Sequence, residues 1–411
     1  MTPTVPEPTR RRLGSAAMAL ALLTCLAFPF VFPAVAVDDT PSYLDPAREW
    51  AAGRGLREAG GAPLQQRLPL YPLLLGSVIP IAGESPFAFG LLNVALHVLS
   101  ILLVRGALPK QPRLDLLYAA ALVYPPLLTT TGLVLQESLV AFTLSALFAA
   151  TTRALRPSAN AAWGFAAGIA LGASALAKTT VLPAGALLLL LLWFAGSRRQ
   201  PLAFTLGAIL LIGPWMVHNR LELGRFEMVN GNAGVALFAG TVANVVSPSW
   251  STFPEYLEAH ARWEAEGRAD EPVFDRYLAR LAIGRIAADP ARWAVLALER
   301  AFRFMLPARH WFVVTGRSQI ASAGPAYLVA TAFQVLLYAA CALLLIGGLR
   351  PPLDAPALVA PLIVFSHLLV YAASHASPRY GASVGPLLFA GLALLALPSP
   401  IATARDVPGD A

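Results

Sequence analysis

Ten apolar segments of near-crossing length, about 20 residues each, recur along this 411-residue chain and leave few folds open to it. They lie at 13–37, 86–108, 114–132, 133–153, 160–177, 180–196, 201–218, 326–349, 355–374 and 381–397. Hydrophobic residues make up 57% of the chain and charged residues 13%, too few charges to solvate a soluble surface of this length. The chain therefore reads as an all-α polytopic membrane protein. The run at 68–82 is shorter and carries Pro69, Pro72 and Pro80, which suits a juxtamembrane or re-entrant helix. Pro125, Pro126 and Gly132 interrupt the third and fourth segments. Arg10, Arg11 and Arg12 before an apolar run, with Ala34-Val35-Ala36 after it, look like a secretory signal. The run at 13–37 is longer than a signal core and further spans follow, so an uncleaved first span is expected.

The net charge of +7 is scattered between apolar segments, as topology and anionic lipid require, and not gathered as nucleic-acid binding would need. With a cytoplasmic N-terminus, the inner connections carry Arg10 to Arg12, Lys110 with Arg113, Arg153 with Arg156, Arg198 with Arg199, Arg350 and Arg405. The short outer connections carry few cations, Lys178 and Arg379 among them. This is the positive-inside pattern, and it places both termini in the cytoplasm of a plasma (inner) membrane protein. The expected organisation is a tail at 1–12, a catalytic membrane module at 13–218 with an outer loop at 38–85, an extracytoplasmic or interfacial helical segment at 219–325, a C-terminal hairpin and last helix at 326–397, and a tail at 398–411. Within 219–325, helices are expected at 254–268 and 273–288. Another at 291–305 sets Trp293, Leu296 and Ala297 against Arg292, Glu299, Arg300 and Arg303, and lies along the outer interface.

The first outer loop holds the densest chemistry. Asp38 and Asp39 are adjacent acids; Thr40 and Pro41 then read as an N-cap and first-turn proline. Tyr43, Ala47, Trp50 and Ala51 form one apolar face, suited to a helix lying on the membrane with its aromatics among the headgroups. Gly53 and Gly55 end that helix, and Arg67 precedes the proline-punctuated run. Glu137 lies one turn inside the fourth span, where an ionisable group is costly and so a functional candidate. Glu84 reads as a solvated turn residue, and His97 and His367 as satisfied core histidines.

By this topology Asp38, Asp39, Arg67, Glu137, Lys178, His218, Asn219, Arg220, His375, Arg379 and Tyr380 share one face. Acids and arginines together suit transfer of a group from a lipid-linked phosphate. A cation holds the leaving phosphate, whose charge grows as the bond breaks. A carboxylate, from Asp38, Asp39 or Glu137, deprotonates or orients the acceptor hydroxyl. The chain has no GxxxxGK loop, HExxH or serine elbow. The adjacent aspartates leave a divalent metal open, and no other cofactor is implied. A transporter or flippase without transferase activity is the alternative; it expects repeat symmetry and midplane charges. A membrane scaffold would leave Glu137 and the cations unexplained.

Four short motifs carry a family resemblance. The first loop reads D-x-x-x-Y-x-x-x-A-x-x-x-x-x-G-x-G from Asp39 through Tyr43, Ala47, Gly53 and Gly55, then Arg67, Pro69, Tyr71 and Pro72. Glu137 lies in LVLQESLVAF, a Pro-Trp-x-x-x-Asn step in GPWMVHNRLELGRF, and an Arg-Tyr step in PRYGASVGP. In order and spacing these resemble the GT-C superfamily of membrane glycosyltransferases, nearest to the family 39 and Rgt-like group related to protein O-mannosyltransferases and aminoarabinose lipid A transferases. The resemblance implies a GT-C-type bundle of about ten transmembrane helices with a helical first outer loop and a larger second outer helical segment. It implies hexosyl or pentosyl transfer from a polyprenyl-phosphate donor to an extracytoplasmic lipid, glycan or protein acceptor. Asp39 matches the spacing of the family's catalytic acid, with Asp38 one residue away and able to exchange roles. Arg67, Lys178, Arg220 and Arg379 would hold the donor phosphate, and Tyr43, Tyr71, His218, Asn219 and Tyr380 would line the pocket. The chain departs from the family where His218 precedes Asn219 and Arg220 follows it, and where basic-Pro-Pro becomes Arg67-Leu68-Pro69.

With Cys25 and Cys341 replaced by Ala, a membrane-impermeant thiol reagent applied outside the cell should label Asp38→Cys and spare Lys110→Cys. The reverse pattern overturns this orientation.

Overall fold

In the computed structural model, residues 7–227, 233–242, 253–266, 271–307, 324–350 and 353–397 are described. The expected C-terminal tail, with Arg405, lies outside them. The described residues are helical with two isolated β-bridges and no strand. In order the helices are α1 (Glu7–Val31), α2 (Pro41–Ala51), α3 (Leu70–Ala82), α4 (Pro86–Ala107), α5 (Pro112–Val123), α6 (Pro125–Leu128), α7 (Glu137–Ala154), α8 (Ala161–Ala177), α9 (Leu182–Ala195), α10 (Arg199–Leu223), α11 (Ala233–Ala239), α12 (Pro254–Ala265), α13 (Glu271–Ala288), α14 (Pro290–Met305), α15 (Pro325–Gly348), α16 (Ala355–Ala373), α17 (Pro378–Ala382) and α18 (Gly385–Leu395).

The protein is an all-α polytopic membrane protein. Among the described residues α1, α4, α10, α15 and α16 are long and apolar enough to cross a bilayer; α3, α8, α9 and α18 are apolar but shorter. Each of the ten expected segments coincides with helix, but two are broken. The 114–132 segment ends as α5 at Val123, because the residue before Pro125 is extended (Tyr124 ψ 114°), and continues as α6 and a 3-10 turn at Thr129–Gly132. The 381–397 segment divides into α17 and α18. The first span stops at Val31 rather than 37, just before Pro33.

The core centres on α7, which is buried along nearly its whole length and packs against α4, α8, α16 and α18. His97 meets the Leu122 carbonyl and His367 Nδ1 the Ile363 carbonyl, at 2.9 Å each, while His367 Nε2 is buried with no hydrogen-bond partner among the described residues. A second, smaller core joins α11, α12 and α13 through Phe238, Phe253, Trp263, Phe274 and Leu278. Asp275 accepts hydrogen bonds from the Gly234 and Val235 amides at the start of α11, at 3.0 and 2.9 Å. Helix α14 is amphipathic, with Val295, Leu298 and Phe302 exposed. Its polar face differs from expectation at Arg300, which is buried and donates through Nε to the Ala372 carbonyl at 2.7 Å. Helix α16 packs against α14 there, so that arginine satisfies backbone instead of facing water.

Helices α8 and α10 meet at glycines. A Cβ on Gly168 would lie 2.0 Å from the Phe204 carbonyl oxygen, and one on Gly207 would lie 2.4 Å from that of Phe165. Small residues let membrane helices approach backbone to backbone, where packing replaces the missing hydrophobic drive. Gly168→Leu should therefore separate the pair. Overpacking of this kind costs about 1–3 kcal/mol, and a lowered melting temperature of the purified protein in detergent is the readout.

Candidate active site

Two irregular segments far apart in sequence are joined before any charged group is placed. The Val35 amide donates to the Gly132 carbonyl at 2.9 Å and the Val134 amide to the Val35 carbonyl at 3.1 Å, making a short parallel bridge. Thr40 stands at the N-cap position of α2, but its hydroxyl does not cap the helix. It accepts the Val37 amide at 2.9 Å and donates to the Val134 carbonyl at 3.1 Å. Asp39 leaves this junction on one strand of the chain, and Glu137 opens α7 on the other.

Asp39 is 8% exposed and shares its carboxylate between two arginines. Arg67 Nη2 donates to Oδ1 at 2.7 Å, and Arg379 Nη2 donates to Oδ2. Burial opposes the charged form of Asp39, yet the Arg379 and Arg67 guanidiniums outweigh it and hold the carboxyl below its ordinary pKa. Arg67 is oriented further by Ser42, whose hydroxyl accepts from Nε at 2.7 Å and donates to the Asp39 carbonyl at 2.6 Å. The Arg379 Nε lies 3.6 Å from Glu137 Oε1. Glu137 is 5% exposed, and its Oε2 is buried with no hydrogen-bond partner among the described residues.

Aromatic rings wall this cluster. The Arg67 guanidinium sits over the Tyr43 ring at 4.5 Å, and Tyr43 meets Tyr71 edge-on with centroids 5.5 Å apart. Tyr43 was expected on a headgroup-facing surface; in the fold Tyr43 and Ala47 are buried against α3, and only Trp50 of that face is exposed. Tyr71 reaches Asn93 at 3.4 Å, and Asn93 donates to the Leu133 carbonyl at 2.7 Å, so the floor joins the same irregular segment. Opposite, Tyr371 and Tyr380 stack at 4.8 Å, and the Lys178 ammonium lies 3.9 Å from the Tyr380 ring and 5.3 Å from that of Tyr371. Lys178 stands in extended backbone between α8 and a 3-10 turn. Burial, offset in part by Glu137 and reinforced by Arg379 and Arg67, brings its pKa down to about 8. Burial and then Arg379, Arg300, Lys178 and Arg303 hold His375 at about 4, so its ring is neutral at pH 7. Helix α17, carrying Arg379 and Tyr380, is seated against α14 through Gly381, where a Cβ would meet the Phe304 carbonyl oxygen at 2.1 Å.

The structure thus brings together Asp39, Glu137, Arg67, Arg379, Lys178, Tyr43, Tyr71 and Tyr380. Asp38 is exposed beside them. The described contacts of His218, Asn219 and Arg220 lie elsewhere. His218 stacks on Trp215 at 4.9 Å, Asn219 donates to the Glu227 carbonyl at 2.8 Å, and exposed Arg220 donates to the Gly224 carbonyl. Trp215 packs instead with Leu56 and Leu64 of the first loop and with Leu176. Glu84 pairs with Arg48 at 2.6 Å on an exposed edge. Ser42, Asn93 and Tyr371 were not anticipated. Tyr371 carried a faint signal, being an aromatic seven residues before Pro378 near the end of a span.

Among the described residues no three His, Cys, Asp or Glu side chains gather as metal ligands. Both Asp39 oxygens are taken by guanidiniums, and a divalent cation does not fit beside three fixed or ionisable cations. With three cations to two carboxylates, this donor set suits an anion.

The fold is similar to two solved structures of ArnT from Cupriavidus metallidurans. One, bound to undecaprenyl phosphate, has a TM-score of 0.43 and 14% identity, over 93% of this chain and 78% of that one. The other, in the apo state, has a TM-score of 0.42 and 15% identity, over 92% and 76%. No family model and no curated protein matches the sequence.

Asp39→Asn leaves two half-buried guanidiniums short of a charge. Breaking a fully buried pair costs about 3–5 kcal/mol, an upper bound for these part-exposed arginines, and melting at pH 7 should show a deficit. A depressed carboxylate pKa contributes stability above the ordinary carboxylate range and loses it as pH falls through the folded value. The gap between wild type and variant should therefore narrow on acidification.

Proposed function

We propose that this chain is a GT-C-type membrane glycosyltransferase that moves a sugar from a polyprenyl-phosphate donor to an acceptor on the extracytoplasmic side. The observation that carries this reading is the Asp39 carboxylate divided between Arg67 and Arg379, beside a Glu137 oxygen that has no hydrogen-bond partner among the described residues. Such a cluster holds one positive charge beyond its own neutralisation when Lys178 is protonated, and that surplus favours an incoming phosphate. Guanidiniums bind phosphate in the forked manner in which they bind carboxylate, so the donor competes with Asp39 for the same N–H groups.

That competition links binding to catalysis. As the phosphate draws the arginines toward itself, Asp39 loses the two interactions that depress its pKa, while its burial remains. The carboxylate becomes a stronger base when the donor is in place. The acceptor oxygen attacks the anomeric carbon and passes its proton to Asp39. The bond from that carbon to the phosphate oxygen breaks, and the electron pair leaves with the phosphate, stabilised by Arg67, Arg379 and Lys178. Glu137 keeps Arg379 oriented and offers Oε2 to a donor hydroxyl. The apolar rings confine the charges in a medium where each is worth more than in water. In this reading both termini lie in the cytoplasm, as the positive-inside pattern supports, the site faces outward from the inner membrane, and the acceptor is a lipid, glycan or protein reached there.

The deciding experiment incubates purified protein with labelled polyprenyl-phosphate sugars and membrane extract and follows label into an acceptor. Transfer should be lost in correctly inserted Asp39→Asn. Arg67→Ala should bind donor at least about tenfold more weakly, since a hydrogen bond to a charged group is worth about 1.5–3 kcal/mol. No labelled product from any donor, or donor affinity unchanged in Arg67→Ala, overturns the reading.

A further inference from the structure

At the other end of α1 from Asp39, the start of α1, the end of α4 and the start of α5 enclose a cavity of about 310 Å³. Ligand sites span roughly 300–1,000 Å³, so it is large enough for a small polar headgroup. Arg11, Arg105 and Lys110 line it, together with Ser15, Asp115 and Tyr118. The three cations come from three different places: the first turns of α1, the last turn of α4, and the connection to α5. The lone acid is engaged, since Arg105 Nε donates to Asp115 Oδ1 at 2.7 Å. Lys110 is exposed and makes no ion pair among the described residues. Counted by its lining, the cavity carries three cations to one acid.

A second observation points to a ligand. Tyr118 is 2% exposed, lines this cavity, and its hydroxyl has no hydrogen-bond partner among the described residues. A buried hydroxyl without a partner carries a free-energy cost that an acceptor atom in the cavity would remove.

We propose that this cavity binds a phosphate anion, esterified or free, with Arg11, Arg105 and Lys110 as charged donors and the Tyr118 hydroxyl as the neutral one. Arg11 begins the membrane-crossing part of α1 and Arg105 ends that of α4, so the cavity opens at the level of lipid headgroups. The anionic headgroup of a phospholipid in that leaflet is the ligand at hand, and free phosphate carries the same chemistry. Helix α1 has 25 residues, so the cavity lies roughly 35 Å from the Asp39 cluster and is independent of the transferase reading.

The test uses the full chain purified in mild detergent. Native mass spectrometry measures retention of phosphatidylglycerol and of phosphatidylcholine, and melting is followed against inorganic phosphate. Wild type should retain phosphatidylglycerol over phosphatidylcholine. Arg11→Ala with Lys110→Ala should weaken that retention about tenfold or more, the usual effect of losing charge-assisted bonds. Tyr118→Phe removes only the hydroxyl; it should melt no lower than wild type and still bind phosphatidylglycerol more weakly. If inorganic phosphate raises the melting temperature of wild type but of neither variant, and phosphatidylglycerol is not retained, the site takes free phosphate. Phosphatidylglycerol retention unchanged in both variants overturns the proposal, as does equal retention of the two lipids where inorganic phosphate leaves the melting of wild type unmoved.

Discussion

A carboxylate that is almost wholly buried ties together residues from opposite ends of the chain. Asp39 binds Arg67 across 28 residues and Arg379 across 340, so the first outer loop and the break before the last helix are held at one point. Stability alone does not explain such an arrangement. Removing three charges from water costs several kcal/mol apiece, and a well-packed apolar substitute would often serve the fold as well. What an apolar substitute lacks is a set of guanidiniums already desolvated, aimed and spaced. The interaction closes the structure and, in the proposed reaction, is the one an incoming phosphate would displace.

Each charged residue of the cluster stands where a helix begins, ends or breaks. Asp39 follows α1, Arg67 precedes α3, Glu137 opens α7, Lys178 separates α8 from the next turn, and Arg379 opens α17. Irregular backbone at membrane depth is tolerated only where its polar groups are satisfied by protein or face a cavity. The bonds among Val35, Thr40, Gly132 and Val134 meet that requirement for two such segments at once. The broken backbone and the charged site are thus two consequences of one arrangement: helices interrupted together leave room for polar side chains that no continuous helix would present.

The spans were legible in the sequence because apolar length is a one-dimensional property, and the polar exceptions stood out against it. Glu137 was visible as a charge that the bilayer penalises, and Asp39, Arg67, Lys178 and Arg379 as charges on connections sharing one face. The sequence left Asp38 and Asp39 as alternatives, because neighbouring residues differ only in direction; the Thr40 tether turns Asp39 inward and leaves Asp38 exposed. Arg300 was misplaced because helical periodicity cannot say that α16 presents a carbonyl to it. Arg220 looked equivalent to the other cations, yet the left-handed turn at Gly224 (φ 69°) offers it a carbonyl close by. Tyr371 and Asn93 gave little signal, since an aromatic or an amide in a span matters only through what packs beside it.

The tyrosines explain how the cluster keeps charge to spare. Were each cation matched to its own carboxylate, the site would be neutral. Lys178 instead lies over the face of Tyr380, and Arg67, besides its bond to Asp39, over that of Tyr43; the ring faces attract a cation without cancelling its charge. The ring faces offset part of the desolvation cost and keep the side chains in place. Three cations are thereby sustained by two acids, and Lys178, whose pKa near 8 is the lowest of the three, sets how strongly the cluster is charged at a given pH. An aromatic lining around a charge-asymmetric core is what a pocket needs if it must exist before its anion arrives and release that anion afterwards.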